Sequence, residues 1–150
     1  MKVLFICTGN TSRSPMAEGL FRQMIKGTVL EGNAVCMSAG LSSTNGENIA
    51  ENAVIALEEI GVDISDYKSR RFSSKEISMW DCYFSMGDTH SYILEKAGIP
   101  HDKIYTPKEG IIDPYGLEVE DYRVCREQLI NELKSFIEKL CIYYENRRNA

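Results

Sequence analysis

Apolar residues follow two different spacings along the chain, and each spacing predicts one kind of element. The unbroken apolar run 3–7 indicates a strand covered on both faces, and we predict further strands at the short, mainly apolar segments 34–39, 83–86 and 104–105. Apolar residues three or four positions apart indicate amphipathic helices, which we predict at 16–26, 49–60, 91–97 and from 119 to about 144. A shorter helix is expected to begin at the capping-box sequence 73–76 and to end near Trp80, and residues 146–150 are expected to fray.

The alternation of strands and helices predicts the fold class. It is typical of a three-layer α/β fold, in which a four-stranded parallel sheet of flavodoxin-like order 2-1-3-4 carries helices on both faces. In such a sheet, a ligand binds at the carboxyl end of strand one, beside strand three, where the strand order reverses. With 150 residues, one core is expected, so we predict a single domain over 1–150.

A short polar loop follows the first strand and places a thiol and a guanidinium at its two ends. Five residues separate Cys7 from Arg13, and a loop of this length can curl its backbone N–H groups into a ring that binds phosphate oxygens. Gly9 and Asn10 suit the curl because both tolerate a positive φ. The pattern therefore predicts a phosphate cradle with a cysteine nucleophile at its floor.

The start of the next helix supports the same interpretation. Ser14 is suited to the N-cap and Pro15 to the first helical position, and a helix N-terminus attracts anions. The positive end of the helix and Arg13 should favour the thiolate form of Cys7, and Arg13 should grip two phosphate oxygens at once. The alternative is a buried cysteine at a strand end before an ordinary turn. It is disfavoured because such a combination of residues arises by chance with a frequency on the order of 10⁻⁵.

The run 7–19 at the start of so short a chain resembles the low-molecular-weight protein tyrosine phosphatase family, including its protein-arginine phosphatase branch. Ser38-Ala39-Gly40 and Asp113-Pro114-Tyr115-Gly116 extend the resemblance over nearly the whole chain. It implies a phosphoprotein phosphatase that forms a phosphocysteine, with Cys7, Arg13 and Asp113 as catalytic residues. The implied phosphate-binding residues are Thr8, Gly9, Asn10, Thr11, Ser12 and Ser14.

The role of Asp113 depends on the resemblance. Taken by itself, Asp-Pro-Tyr-Gly has the composition of a type I turn, and Asp113 would then be structural. The family carries its general acid in this loop before the last helix, which implies that Asp113 protonates the leaving group.

Thr11 bears on the substrate class. Tyrosine-directed relatives place a larger aliphatic residue there, and a hydroxyl suits a phosphoguanidinium better than a phenyl ring. The sequence 86–90 also looks like the arginine-phosphatase branch, whereas Tyr115 could stack on an aryl substrate. Phosphoarginine is therefore placed slightly ahead of phosphotyrosine. An arsenate reductase is a remote alternative, because Cys82 has no second cysteine within forty residues on its C-terminal side.

Several residues near the motifs leave alternatives open. The resemblance places Ser38 beside the loop. From the sequence alone, a hydroxyl at the end of a strand that bonds to nearby backbone is an equally good interpretation. Tyr67 stands where tyrosine-directed members carry a histidine that supports the loop asparagine. The resemblance therefore does not identify which residue supports Asn10 in this chain. The basic residues Lys68, Arg70 and Arg71 could attract phosphoproteins, but a solvated charged loop is the favoured explanation.

Composition narrows the partners. A net charge of −5 disfavours a nucleic acid or an anionic membrane as partner. The family resemblance implies a phosphorylated protein as substrate and inorganic phosphate as product. Five cysteines at scattered positions suit a reducing cytoplasm. With His90 and His101 as the two histidines, we expect no metal and no cofactor.

Overall fold

The computed structural model describes all 150 residues and is built on a four-stranded parallel sheet. The strands are β1 (Lys2–Cys7), β2 (Val35–Gly40), β3 (Cys82–Ser85) and β4 (Ile104–Tyr105), in the order β2-β1-β3-β4. The helices are α1 (Arg13–Met24), α2 (Glu51–Glu58), α3 (Asp88–Lys96) and α4 (Val119–Arg148), with 3₁₀ turns at Ser74–Glu76 and His101–Lys103. The predicted fold class and strand order are confirmed.

Strand β1 lies at the centre of the molecule, and its side chains alternate between two cores. Val3 and Phe5 belong to the larger core, which contains side chains of α1, α2 and α4. Leu4 and Ile6 belong to a smaller core with Trp80, Leu94 and Ile99. Because both faces of β1 are covered, its apolar run is unbroken, as expected for a parallel strand.

The first helix begins earlier than predicted. It starts at Arg13 with Ser12 at the N-cap position, and no side chain caps it. Ser14 is therefore not the N-cap. Its hydroxyl is instead taken up by contacts with Cys7 and Asn10, which tie the first turn of the helix to the loop.

Other ends also differ from the sequence pattern. The capping box at Ser73 is present, but the helix that it begins is a single 3₁₀ turn. Helix α4 continues to Arg148, where fraying had been expected. There the guanidinium groups of Arg147 and Arg148 lie over the rings of Tyr143 and Tyr144, one turn earlier, and these cation–π contacts support the last turn.

All five cysteines are free thiols. Burial raises the pKa of Cys36, Cys82 and Cys125 to about 12, so these thiols are protonated at neutral pH. No helix has both the length and the apolar character that crossing a bilayer requires.

Candidate active site

The loop that joins β1 to α1, together with the first helical turn, forms a ring of unpaired backbone donors at the carboxyl end of β1. Asn10 adopts a positive φ of 57°, whereas Gly9 does not, so only one of the two expected residues uses the left-handed region. Most N–H groups of the loop have no acceptor within the protein; these are the N–H groups of Thr8, Gly9, Thr11, Ser12, Arg13 and Ser14. Donors that converge in this way form an anion site.

The sulfur of Cys7 lies within this ring and receives hydrogen bonds from two directions. Cys7 is 3% exposed, and its Sγ accepts a bond from the Asn10 backbone N–H at 3.3 Å. The Ser14 Oγ lies 2.8 Å from the same sulfur and itself accepts a bond from the Asn10 side-chain amide, also at 2.8 Å. Since that bond occupies a lone pair of Ser14, the Ser14 proton is free to point at the sulfur and stabilise a thiolate.

Asn10 holds the loop in shape because every polar atom of its buried amide is paired. Its Nδ2 donates to Ser14 and, at 2.9 Å, to Ser38 Oγ, while its Oδ1 accepts from the Arg70 backbone N–H at 2.8 Å. Ser38 in turn donates to Glu18 Oε1 at 2.6 Å. The structure therefore places Ser38 beside the loop, as the resemblance implied.

The segment that contains Tyr67 and Arg70 supports the loop in a way that the sequence did not indicate. Tyr67 accepts a hydrogen bond from Arg22 at 2.5 Å and does not reach Asn10. Arg70 makes a two-pronged ion pair with Glu76 at 2.8 and 2.9 Å. The description of Arg70 as part of a solvated charged loop is wrong, because its backbone and side chain are both engaged in packing behind the cradle.

Gly40, the last residue of β2, was named from the sequence only as part of the motif Ser38-Ala39-Gly40, and the structure shows that close packing requires it. A Cβ atom at this position would lie 2.6 Å from the Thr8 carbonyl oxygen and 2.7 Å from the Ser43 Cβ. Contacts of that length do not occur, so any larger residue would displace the loop. The signal in the sequence was the glycine at the end of a predicted strand.

Arg13 and Asp113 meet at the mouth of the ring. Arg13 Nη1 donates to the Ile111 carbonyl at 3.1 Å, and its Nη2 lies 3.5 Å from Asp113 Oδ2. The other carboxylate oxygen of Asp113 accepts from the Tyr115 N–H at 3.1 Å. One oxygen of Asp113 therefore forms the turn that its tetrapeptide predicts, and the other lies beside Arg13 in the lining of the cleft.

The base of the Asp113 loop is fixed by a residue that sequence reasoning missed. Gln128 on α4 donates to the Gly110 carbonyl at 3.2 Å and accepts from the Ile112 N–H at 2.9 Å. The Ile111 N–H donates to the Met86 carbonyl at 2.7 Å, beside β3. No periodic signal marks Gln128, since it is one polar residue among many on a long helix.

The loop, Arg13 and Asp113 line one cleft of about 230 Å³. Its walls combine the loop with residues not predicted from the sequence; the lining consists of Cys7 to Arg13, Ser42, Ser43, Thr44, Glu47, Asp113 and Tyr115. Arg13 is the single cationic residue of this lining, and Glu47 and Asp113 are its carboxylates. The cleft therefore combines the free N–H groups of the loop and one guanidinium with two acidic side chains.

His90 on α3 also reaches the loop. Its Nε2 lies 2.9 Å from Thr8 Oγ1. Burial and the nearby Arg13 lower the pKa of His90 from 6.5 to about 4, against the opposing influence of Asp113. The imidazole is therefore neutral at neutral pH.

The family described as low molecular weight phosphotyrosine protein phosphatase matches residues 2–143. The chain belongs to this family. This finding confirms the resemblance seen in the motifs and the protein-phosphatase class that it implied.

Relatives with different specificities match over nearly their full length. A protein-arginine-phosphatase of Bacillus subtilis (strain 168) is 30% identical over 148 residues, which are 93% of this chain and 97% of the relative. A low molecular weight phosphotyrosine protein phosphatase of Sus scrofa is 28% identical over 92% of this chain and 94% of its own.

Solved structures show the same range. A low molecular weight protein tyrosine phosphatase from T. tengcongensis has a TM-score of 0.83 at 36% identity, covering 93% of this chain and 99% of its own. The YwlE arginine phosphatase, in a mutant with a phosphorylated active-site serine, has a TM-score of 0.84 at 30% identity, covering 93% and 95%.

Proposed function

We propose that this chain acts over 1–150 as a single phosphatase domain that removes phosphoryl groups from protein side chains through a phosphocysteine. The observation that carries the proposal is the position of the Cys7 sulfur within a ring of free N–H groups, with Arg13 and Asp113 lining the same cleft. A phosphoryl group seated on those donors would present its phosphorus to the sulfur.

In the first step, the Cys7 thiolate attacks phosphorus in line, so that an S–P bond forms while the bond to the leaving atom breaks. The loop N–H groups and Arg13 stabilise the charge on the equatorial oxygens. Asp113, whose side chain is 54% exposed at the cleft mouth, delivers its proton to the leaving atom.

In the second step, the ionised Asp113 takes a proton from a water molecule that attacks the phosphocysteine. The S–P bond breaks, phosphate leaves, and the Cys7 thiolate returns to its bonds with Ser14 and the Asn10 N–H. The phosphorylated active-site serine of the related YwlE structure supports a covalent intermediate at the nucleophile position.

Phosphoarginine is the favoured substrate, for reasons of charge and size. Its guanidinium is cationic and rich in donors, and the cleft offers it the carboxylate of Glu47 and the hydroxyl of Thr11, while Asp113 supplies the proton to the leaving nitrogen. The matches to protein-arginine phosphatases at 30% and 31% identity support the same class.

Phosphotyrosine is the second candidate, and Tyr115 favours it. The Tyr115 side chain lines the cleft and is 70% exposed, so an aryl ring can stack on it. Arsenate reduction is disfavoured, because Cys7 is the one cysteine in the cleft lining.

Peptides that carry phosphoarginine or phosphotyrosine in the same flanking sequence test the assignment. Wild type should show the higher kcat/KM on phosphoarginine, and Thr11→Ile should shift the ratio towards phosphotyrosine by about 10-fold, or about 1.4 kcal/mol. Thr28→Ile, in the turn after α1 and outside the cleft lining, is the control and should leave the ratio as it is. An unchanged ratio in Thr11→Ile would remove Thr11 from the argument and make phosphotyrosine the default substrate.

A further inference from the structure

His90 and Thr8 form a side-chain contact at the cradle that the two chemical steps leave unused. Thr8 directly follows the nucleophile and lines the cleft, while His90 lies on α3 and is only 7% exposed. The 2.9 Å contact between Thr8 Oγ1 and His90 Nε2 is the only hydrogen bond that the Thr8 hydroxyl makes within the protein. The hydroxyl therefore retains bonding capacity on the side of the cleft.

The surroundings of His90 determine which ring nitrogen carries the proton. Its Nδ1 is buried and has no hydrogen-bond partner. A neutral imidazole carries one N–H, and a buried N–H without an acceptor is rarer in folded proteins than an unpaired lone pair. We therefore assign the proton to Nε2, from which it is donated to Thr8 Oγ1.

This assignment sets the direction of the next bond. Once Thr8 Oγ1 accepts from His90, its own proton is left to be donated elsewhere, and the group placed to receive it is a ligand in the cleft. We infer that His90 is a positioning residue that turns the Thr8 hydroxyl into a hydrogen-bond donor to a phosphoryl oxygen. The inference rests on the proposed phosphatase function and adds an uncharged side-chain donor to the backbone ring and Arg13.

The test is a double-mutant cycle of Thr8→Val and His90→Phe. A hydrogen bond to a charged group contributes enough that each single variant should lower kcat/KM for a small aryl phosphate by about 10-fold. The inhibition constant of inorganic phosphate should rise by a similar factor, because the product uses the same donor. The kcat/KM of the double variant should be no lower than that of the less active single variant, since both substitutions remove the same interaction.

Conservative variants separate positioning from packing. His90→Gln places an amide N–H near the former Nε2 and should recover most of the activity lost in His90→Phe. Thr8→Ser keeps the hydroxyl and should exceed Thr8→Val by at least about five-fold. If His90→Phe does not fold, as judged by its thermal unfolding, a Thr8→Val enzyme as active as Thr8→Ser would still overturn the inference.

Three results would overturn the inference: additive losses in the double variant, a Thr8→Val enzyme that works as well as Thr8→Ser, or a His90→Gln enzyme as weak as His90→Phe. Calorimetric binding of inorganic phosphate to the same variants needs no turnover. A wild type that binds phosphate through Thr8 but hydrolyses no aryl phosphate would contradict the proposed function and leave the positioning role intact.

Discussion

The cradle loop (residues 8–14) and the acid loop (residues 110–117) meet at one cleft but are held in different ways. In the cradle loop, the side chain of Asn10 is buried and fully paired, and its partners come from β2, α1 and the segment before the 3₁₀ turn. In the acid loop, the side chains of Asp113 and Tyr115 are exposed, and the loop is held mainly at its two ends. Gln128 and the Ile111 N–H hold the first end, and Asn52, which donates to the Leu117 carbonyl, holds the second.

The difference follows from what each loop has to do. Several N–H groups that converge on one anion repel each other when no anion is bound, and the positive φ of Asn10 is also unfavourable, so the conformation needs buried partners. The acid has to reach leaving atoms of different shape and then a water molecule, for which an exposed carboxylate on an anchored base is suited. A rigid nucleophile site and an accessible acid are thus separate structural solutions.

Cys7→Ala tests the cradle side and should have the largest effect. Turnover should fall to the background of the uncatalysed reaction, because no other cysteine lines the cleft. Binding of phosphate or vanadate should persist, since the donors are backbone N–H groups and Arg13. Steady-state hydrolysis near the wild-type rate, measured with an aryl phosphate, would refute the thiol mechanism.

Asp113→Asn tests the acid side. The rate should fall by about 10²–10⁴, the usual contribution of a general acid, and the loss should shrink for leaving groups that need no proton. The free energy of unfolding should change by less than about 0.5 kcal/mol, because the side chain is exposed. Equal losses across a series of aryl phosphates would show that Asp113 does not protonate the leaving group.

Acid should weaken the fold through His90, which lies between the two loops. Its pKa of about 4 in the folded protein is below the ordinary 6.5, so the unfolded chain takes up a proton first as the pH falls. Stability that is complete above pH 6.5 should drop by about 3 kcal/mol between pH 7 and pH 4 from this group alone.

Urea unfolding of wild type and His90→Gln at both pH values isolates that contribution, because the carboxylates titrate in both proteins. The wild type should lose more stability on acidification than the variant. Identical losses would mean that the pKa of His90 is the same in the folded and the unfolded protein.

Glu47→Gln should have the smallest effect. It tests whether a carboxylate in the cleft lining, outside both loops, pairs with the cation of the substrate. An exposed charge pair contributes about 0.2–1 kcal/mol, so kcat/KM for a phosphoarginine peptide should fall by about two- to five-fold at low salt. The phosphotyrosine peptide should be unaffected, and Glu51→Gln on α2 serves as the control. A loss of equal size on both peptides would argue against pairing with the substrate cation.

The sequence by itself determined the parts of this protein that depend on neighbouring residues. The unbroken apolar run of β1 predicts a strand covered on both faces, and the spacing from Cys7 to Arg13 predicts an anion loop, because local geometry and side-chain periodicity decide both. The order of the four strands followed from the alternation of elements and the handedness of their connections. Asp113 could be assigned a chemical role only from the family resemblance, since its own tetrapeptide predicts a turn.

Only the tertiary structure decided what holds the site together. Ser38 and Arg70 lie 28 and 60 residues from Asn10, and the partners Thr8 and His90 are 82 residues apart. Hydrogen bonds across such separations leave no period in the sequence, because each needs one polar atom at one place. The same reason applies to Gly40, whose identity is set by the approach of the Thr8 carbonyl, a backbone group that carries no side-chain signal.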